Sequence, residues 1–278
     1  MKGTIVYKMT GSGNDFVLVD GRYTSPAEWP SARVVQLCDR RTGIGADGLV
    51  ILTPERTGTV GMAFWNSDGT RAAMCGNAAL CSTRLSVFLE FAEPGELSLI
   101  TDAGAVQARC PSAGDQAEIR LPDFELALGK GNGVCGIEPV VGERWMAFAT
   151  VGVPHLVIRV DDVEAVDVMG RGRSLRYDAR LGSAGANVNF VAATNDRAQP
   201  WLIRTYERGV EGETLACGTG TVAAGLALAQ HGEAQLPVRF RSRGGEELLV
   251  TAALKERRAT NVWLGGQGKL VFKAVWEA

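Results

Sequence analysis

The sequence of 278 residues predicts an α+β protein whose two halves share one architecture. Two cysteine–glycine steps, at Cys75 and Cys217, are each followed by apolar or small residues at helical spacing. Polar residues that open strand-like apolar runs precede the two steps in the same order. Because a repeated order of landmarks indicates a repeated architecture, we expect each half to contain several strands and one long helix that begins at its cysteine.

The landmarks upstream of the two cysteines set the predicted register between the halves. Asp47 stands before a strand-like run in the first half, and Asn187 stands before one in the second. Further upstream, Asn14 and His155 occupy matching places before their own apolar runs. Glycines crowd between residues 129 and 142, which indicates a linker. We place the N-terminal lobe at 1–128, completed by a C-terminal strand at about 265–278, and the C-terminal lobe at 129–264.

Composition excludes several classes of partner. Lysine and arginine total 29 against 31 acidic residues, a formal charge of −2, so no basic surface for nucleic acid is expected. No apolar run approaches the ~18 residues of a membrane-spanning helix, and no signal-peptide core can be drawn at the start. We therefore expect a cytoplasmic protein that binds neither nucleic acid nor a membrane.

The six cysteines are too sparse for a disulfide scaffold, and we expect them to be reduced. No metal is expected, because the spacing between Cys75 and Cys81 is longer than in zinc-binding pairs and no second pair completes the ligands. A thiol at the amino end of a helix lies beside unpaired main-chain N–H groups, which lower its pKa and bind carboxylates. Cys75 and Cys217 are therefore candidate reactive thiols.

Two such thiols on opposite sides of a shared cleft suit the inversion of an amino acid at its α-carbon. One group, as thiolate, removes the α-proton from one face, and the other, as thiol, returns a proton to the opposite face. The two thiols therefore titrate as a coupled pair. Helix-start N–H groups stabilise the charge that develops on the substrate carboxylate. This chemistry needs no cofactor.

Seven segments, in order along the chain, carry a more specific signal. They are GSGNDF (11–16), GIGAD (43–47), NSDG (66–69), MCGN (74–77), PH (154–155), NVNF (187–190) and ERG…ETLACGTG (207–220). Together they resemble the diaminopimelate epimerase family. The resemblance implies a pyridoxal-independent isomerase that interconverts LL- and meso-diaminopimelate in lysine and peptidoglycan-precursor biosynthesis. It also implies a homodimer, each chain with two pseudo-symmetric lobes in which a largely antiparallel sheet or barrel wraps a central helix, and an active site in the cleft between the lobes.

The resemblance assigns roles to individual residues. It implies that Cys75 and Cys217 are the catalytic acid and base, and that His155 and Glu207 tune their pKa values. The implied substrate-binding residues are Asn14, Asn66, Gly76, Asn77, Asn187, Glu207, Arg208, Gly218 and Thr219. Arg208 suits a carboxylate because its guanidinium is a planar fork of donors. Structural roles compete with these: His155 as a satisfied core residue, Asn66 as a turn residue, and Glu207 with Arg208 as a surface ion pair.

The sequence departs from the family pattern at several positions. Ala78 and Leu80 replace a glycine and an arginine after Cys75, Gly48 replaces a glutamine, and Val153 replaces an asparagine. The loop 209–213 is one residue longer. Losing one hydrogen bond to a charged group costs about 1.5–3 kcal/mol, which alters substrate preference without removing the reaction. Two alternatives stay open: a proline-racemase-like racemase of another amino acid, and a non-catalytic amino-acid-binding or thiol-switch protein.

Overall fold

The computed structural model describes residues 3–111, 114–127, 133–196, 198–256 and 258–277. They form two compact units, unit 1 from Met1–Arg120 with Gly265–Ala278, and unit 2 from Leu121–Leu264. The lobe boundary expected at residues 128 and 129 lies outside the described residues. The chain passes from unit 1 to unit 2 after Arg120 and returns to unit 1 at Gly265.

Strands dominate both units. The chain begins with β1 (Thr4–Gly11), β2 (Asn14–Asp20), α1 (Ser31–Cys38), β3 (Gly48–Arg56), β4 (Thr59–Asn66), β5 (Arg71–Ala72), α2 (Gly76–Phe88), β6 (Gly95–Thr101), β7 (Gly104–Cys110) and β8 (Gln116–Leu121). It continues with β9 (Phe124–Ala127), β10 (Glu143–Val151), β11 (Val153–Val160), α3 (Val168–Arg176), β12 (Asn187–Ala192), β13 (Trp201–Glu207), β14 (Gly212–Thr214) and α4 (Gly218–Gln230). The last strands are β15 (Val238–Arg241), β16 (Glu247–Lys255), β17 (Arg258–Gln267) and β18 (Lys269–Trp276). Short 3-10 turns lie at Pro26–Glu28 and Ala179–Leu181.

The two units pair their strands in the same order. In unit 1, β1 pairs antiparallel with β18 and β2, β2 pairs parallel with β3, β3 pairs antiparallel with β4, and β4 pairs parallel with β6. In unit 2, β10 pairs antiparallel with β9 and β11, β11 pairs parallel with β12, β12 pairs antiparallel with β13, and β13 pairs parallel with β15. The sheet-dominated α+β fold and the repeat between halves are confirmed, although each sheet is mixed.

One helix in each unit packs against the strands of its own unit. Helix α2 contacts β1, β2, β3, β4, β6, β7 and β18, and α4 contacts β10, β11, β12 and β16. Both begin directly after a cysteine, as the spacing of small and apolar residues predicts. Buried hydroxyls in α2 are satisfied within the helix, because Ser82, Thr83 and Ser86 each donate to the carbonyl four residues earlier.

Each unit also has a cluster of buried hydrophobic side chains that includes residues of a second helix. In unit 1 a cluster of buried side chains packs around α1 and includes Trp29, Val34, Leu37, Leu49 and Ile51. In unit 2 the corresponding cluster packs around α3 and includes Val168, Leu175, Ile158, Phe190 and Tyr206. No helix among the described residues has both the length and the apolar character needed to cross a membrane.

Candidate active site

The start of α2 places a thiol beside unpaired main-chain donors. Cys75 precedes the helix with extended backbone, at φ −139° and ψ 123°, and its side chain is half-buried. The first helical hydrogen bond runs from Ala79 N–H to Cys75 O at 2.9 Å. The N–H groups of Gly76 and Asn77 therefore have no carbonyl partner within the helix, and such groups attract anions.

Unit 2 repeats this arrangement at α4. Cys217 has the same extended backbone, at φ −133° and ψ 107°, and is 8% exposed. Thr221 N–H donates to Cys217 O at 2.9 Å, the counterpart of the Ala79 bond. Gly218 and Thr219 then carry N–H groups without a helical partner. Each unit thus has a cysteine directly before a helix whose first N–H groups attract anions.

A chain of polar side chains in unit 1 leads to the first turn of α2. Asn77 donates from Nδ2 to Asn14 Oδ1 at 2.7 Å, and Asn14 donates from its own Nδ2 to Asp47 Oδ2 at 2.8 Å. Arg40 donates to the other oxygen of Asp47 at 2.8 Å. Asp47 therefore orients both amides, so that two of the substrate-binding residues predicted from the resemblance, Asn14 and Asn77, are directly joined.

A partly buried ion pair lies next to this chain of side chains. Lys8 Nζ lies 2.5 Å from Asp15 Oδ2 and also donates to the main-chain oxygen of Gly45. Asp15 accepts a second cationic partner, Arg40, at 2.6 Å. Burial alone raises the pKa of Asp15, but the hydrogen bonds from Arg40 and Lys8 outweigh it, so the pKa is lowered and the carboxylate is charged.

The departures from the family pattern in unit 1 have steric consequences. A Cβ atom at Gly48 would lie 2.4 Å from the Trp65 carbonyl oxygen and 2.6 Å from the Phe64 ring, so glycine alone fits there. Ala78 and Leu80 are fully buried in α2. Asn66 is exposed and donates from Nδ2 to Thr70 Oγ1 at 3.0 Å, within its own turn.

The electrostatic surroundings of Cys217 keep it a thiol. Burial is the largest effect and the charge of Glu207 adds to it, so that the pKa of Cys217 is raised to about 12. A main-chain N–H at Gly220 and the Thr219 hydroxyl, whose oxygen lies 3.8 Å from Sγ, act in the opposite direction. The N–H donor at the helix start thus lowers the pKa of Cys217, as predicted, but desolvation and the charge of Glu207 exceed its effect, so the net pKa is raised.

Glu207 itself is half-buried, and burial raises its pKa, with the Thr214 hydroxyl opposing. We expect Glu207→Gln to lower the pKa of Cys217, because removing a negative charge makes the thiolate easier to form. Iodoacetamide should then alkylate Cys217 severalfold faster at pH 8–9, as measured by peptide mass spectrometry. Alkylation of the exposed Cys135 is the internal control and should not change. A rate at Cys217 that is unchanged or slower would show that Glu207 does not set its pKa.

His155 is fully buried and neutral. Burial, with the charge of Arg208 second, lowers the pKa of His155 to about 3, and the Val151 carbonyl opposes this weakly. Its Nε2 atom is buried and makes no hydrogen bond within the described part of the chain. A neutral, buried imidazole can donate a hydrogen bond but does not carry a charge at physiological pH.

Strand pairing in unit 2 brings close to one another the residues that the resemblance assigns to substrate binding and to pKa tuning. Asn187 is the first residue of β12 and lies in register with His155 on β11. Its Oδ1 accepts the main-chain N–H of Arg208 at 2.7 Å. Val153, where the family has an asparagine, is the half-buried first residue of β11. The ends of β11, β12 and β13 thus group His155, Asn187, Glu207 and Arg208.

From the sequence no role in the site was assigned to four supporting residues, namely Asp15, Asp47, Asn189 and Thr205. The last two had a readable signal, because residues two apart on a strand lie on the same face. Asn189 therefore shares a face with Asn187 on β12, and Thr205 shares one with Glu207 on β13. Polar residues in otherwise apolar runs on such a face need partners, which makes them candidates for the site. Among the described residues, no group of three or more His, Cys, Asp or Glu side chains could hold a metal ion.

Solved structures of other proteins share this fold. A phenazine biosynthesis protein of the PhzF family from Bacillus anthracis matches with a TM-score of 0.71 and 12% identity over 100% of both chains. A hydroxyproline epimerase from Agrobacterium vitis, with bound trans-4-hydroxy-L-proline, matches with a TM-score of 0.60 and 16% identity over 99% of this chain and 92% of that chain. The fold class is therefore the one that PhzF proteins and this amino-acid epimerase have in common.

Sequence comparison narrows the assignment within that class. The family model for diaminopimelate epimerase matches residues 6–121 and 147–265. Diaminopimelate epimerase from Gemmatimonas aurantiaca is 42% identical over 285 aligned positions, which cover 96% of each chain. The chain belongs to the diaminopimelate epimerase family and is an isomerase, which confirms the family that the seven motifs indicate.

Proposed function

We propose that this protein interconverts LL- and meso-diaminopimelate without a cofactor, in lysine and peptidoglycan-precursor biosynthesis, with Cys75 and Cys217 as the acid–base pair. The observation that carries the proposal is the repeated helix start. Each unit has a cysteine with extended backbone directly before a helix whose first N–H groups have no helical partner. A two-thiol proton transfer needs one such group for each face of the α-carbon.

The reaction proceeds by proton transfer alone. One cysteine, as thiolate, takes the α-proton, and the electrons of the broken C–H bond delocalise into the α-carboxylate. The other cysteine, as thiol, gives its proton to the opposite face, so each turnover exchanges the protonation states of the two sulfurs. The raised pKa of Cys217 suits it to be the proton donor in the first step, with Cys75 as the base.

The resemblance and the geometry together support a division of the binding residues. The residues proposed to hold the α-carboxylate are those of the two helix starts, Gly76, Asn77, Gly218 and Thr219. The residues proposed to hold the distal amino-acid group are Asn14, Asn66, Asn187, Glu207 and Arg208. Arg208 is half-buried and offers the distal carboxylate a planar pair of donors. Glu207 and His155 are proposed to tune the thiols.

Exchange of the α-proton with solvent deuterium tests the proposal. Reduced protein in D₂O, without added pyridoxal phosphate or metal, should exchange the α-hydrogen of LL-diaminopimelate and form the meso isomer, both measurable by proton NMR. A parallel panel of amino acids with one amino-acid group, proline included, should be inert. Exchange in that panel but not in diaminopimelate would favour a racemase of another substrate. No exchange in any amino acid would favour a binding protein.

We also propose a homodimer that acts in the cytoplasm. Unit 1 supports the dimer with exposed apolar side chains on adjacent strands, since Ile5 on β1 lies in register with Val275 on β18. Ile5 is 40% exposed, Val275 is 62% exposed and Val271, further along β18 toward its start, is 55% exposed. Sedimentation velocity of the intact protein distinguishes a dimer from a monomer, and a monomer at micromolar concentration would remove this part of the proposal.

A further inference from the structure

Asn189, a buried residue of unit 2, has hydrogen-bond partners for both the nitrogen and the oxygen of its carboxamide. The residue has no exposed surface. Its Nδ2 donates to the main-chain oxygen of Leu156 at 3.1 Å and lies 3.3 Å from Nδ1 of His155. Its Oδ1 accepts from Thr205 Oγ1 at 3.0 Å. A buried amide without partners costs about 1–3 kcal/mol, so these bonds hold the side chain in one orientation.

The orientation of this amide determines the tautomer of His155. A carbonyl oxygen only accepts hydrogen bonds, so the atom of Asn189 that faces Leu156 O is the nitrogen. That nitrogen only donates, so Nδ1 of His155 must accept and cannot carry a proton. Because burial keeps the His155 ring neutral, its single proton lies on Nε2. Nε2 is also the buried atom that has no hydrogen bond within the described residues.

The same carboxamide lies against the first turn of α4. A Cβ atom at Gly220 would lie 2.1 Å from Asn189 Oδ1 and 3.2 Å from Cys217 Sγ. Real Cβ atoms do not approach oxygen this closely, so α4 sits where it does because residue 220 has no side chain. Asn189 therefore touches, with one group, the ring of His155 and the turn that carries Cys217.

We propose that Asn189 is a positioning residue of the epimerase: its carboxamide fixes His155 as the Nε2–H tautomer and sets the first turn of α4, which carries Cys217. The inference rests on the proposed function, since the rate that Asn189 controls is that of α-carbon inversion. His155 then acts only as a hydrogen-bond donor through Nε2, because Nδ1 is occupied as an acceptor. The ring cannot shuttle a proton between its nitrogens while this bond exists.

Nitrogen-15 NMR tests the tautomer without any substrate. The chain has only two histidines, His155 and His231, so a ¹⁵N-histidine-labelled sample gives two rings, and His231→Gln assigns them. We expect the long-range ¹H–¹⁵N pattern of His155 to show protonated Nε2 and unprotonated Nδ1 in the wild type. Asn189→Leu, which keeps the shape but cannot donate, should leave a mixture of tautomers. Thr205→Val is the matched control, because it removes the bond to Oδ1 but leaves both N–H donors, so the tautomer should persist.

Kinetics test the effect on α4. Asn189→Leu should lower kcat at least about tenfold and change KM less than about threefold, because Asn189 is outside the proposed substrate-binding residues. Gly220→Ala should lower kcat as well, because the new methyl group displaces the turn or the carboxamide. In the Asn189→Ala background the methyl group has room, so Gly220→Ala should cost less there than in the wild type.

Several results would overturn the inference. A wild-type His155 protonated at Nδ1 would do so whatever the variants show, and so would a folded Asn189→Leu protein with unchanged tautomer or unchanged kcat. Equal costs of Gly220→Ala in both backgrounds would refute the contact with α4. The proposed function can fail separately, since an inactive wild type with the expected His155 tautomer would disprove the epimerase and leave the Asn189–His155 pairing in place.

Discussion

Replacing Cys75 or Cys217 by alanine is expected to lower the rate of diaminopimelate epimerisation by about 10²- to 10⁴-fold, the range over which a general acid or base contributes. Each variant should remain folded, because each residue precedes its helix with extended backbone, which alanine adopts without strain. Cys135→Ala is the matched control, since this exposed cysteine lies outside both helix starts, and its rate should equal that of the wild type. More than a tenth of wild-type activity in either variant, a loss of only about 1.4 kcal/mol, would contradict the two-thiol scheme.

The single variants also separate proton exchange from inversion. With one thiol left, a proton can be removed from one face and returned to that face only. Each variant should therefore exchange the α-hydrogen of one stereoisomer with solvent deuterium without forming the other. The two variants should act on opposite isomers, which identifies the face that each cysteine serves. Exchange of the same isomer by both variants would contradict the assignment of one cysteine to each face.

A second large effect is expected on the free energy of unfolding when the ion pair between Lys8 and Asp15 is broken. Asp15→Asn should lower the free energy of unfolding by roughly 3 kcal/mol, because it removes the negative charge that compensates the buried Lys8 ammonium. Lys8→Met is the matched control and should cost only about 1 kcal/mol, since Asp15 retains Arg40. Urea unfolding at pH 7 measures both values.

The pH dependence of this effect has a definite sign. The pKa of Asp15 is lower in the folded protein than its ordinary value. Its contribution to stability is therefore full at neutral pH and is lost as the pH falls through the folded pKa. The difference between wild type and Asp15→Asn should shrink in acid. A Lys8→Met variant as unstable as Asp15→Asn, or a difference that grows in acid, would contradict the pairing described.

Local patterns predicted a large part of the fold. The helices α2 and α4 begin where the sequence indicates, because spacing of apolar and small residues is a property of neighbouring positions. The repeat between halves was also visible, since Asn14, His155, Asp47 and Asn187 stand in matching places at or near the starts of strands β2, β11, β3 and β12. What the local patterns did not provide was the pairing order of the strands, which depends on contacts distant in sequence.

The candidate site, like the fold, was predicted in part from local motifs and in part depends on tertiary contacts. Motifs identified Asn14 and Asn77, but their link through Asp47 to Arg40 required β2, β3 and α2 to be placed together. The space at Gly48 is likewise a tertiary property, because the Trp65 carbonyl that fills it belongs to the neighbouring strand β4. Gly48 therefore differs from the family's glutamine in two ways: it lacks a polar side chain, and it occupies a position where the neighbouring strand leaves no space for a Cβ atom.

The sequence by itself determined which two residues are the candidate acid and base, where their helices begin, and the family to which the chain belongs. Only the tertiary structure decided the protonation of the groups around them. Cys217 is a thiol because it is removed from water and faces the charge of Glu207. His155 is neutral because it is removed from water and faces the charge of Arg208. Both charged residues lie at the end of β13. Protonation depends on desolvation and on partners far away in the chain, and neither is encoded in the spacing of neighbouring residues.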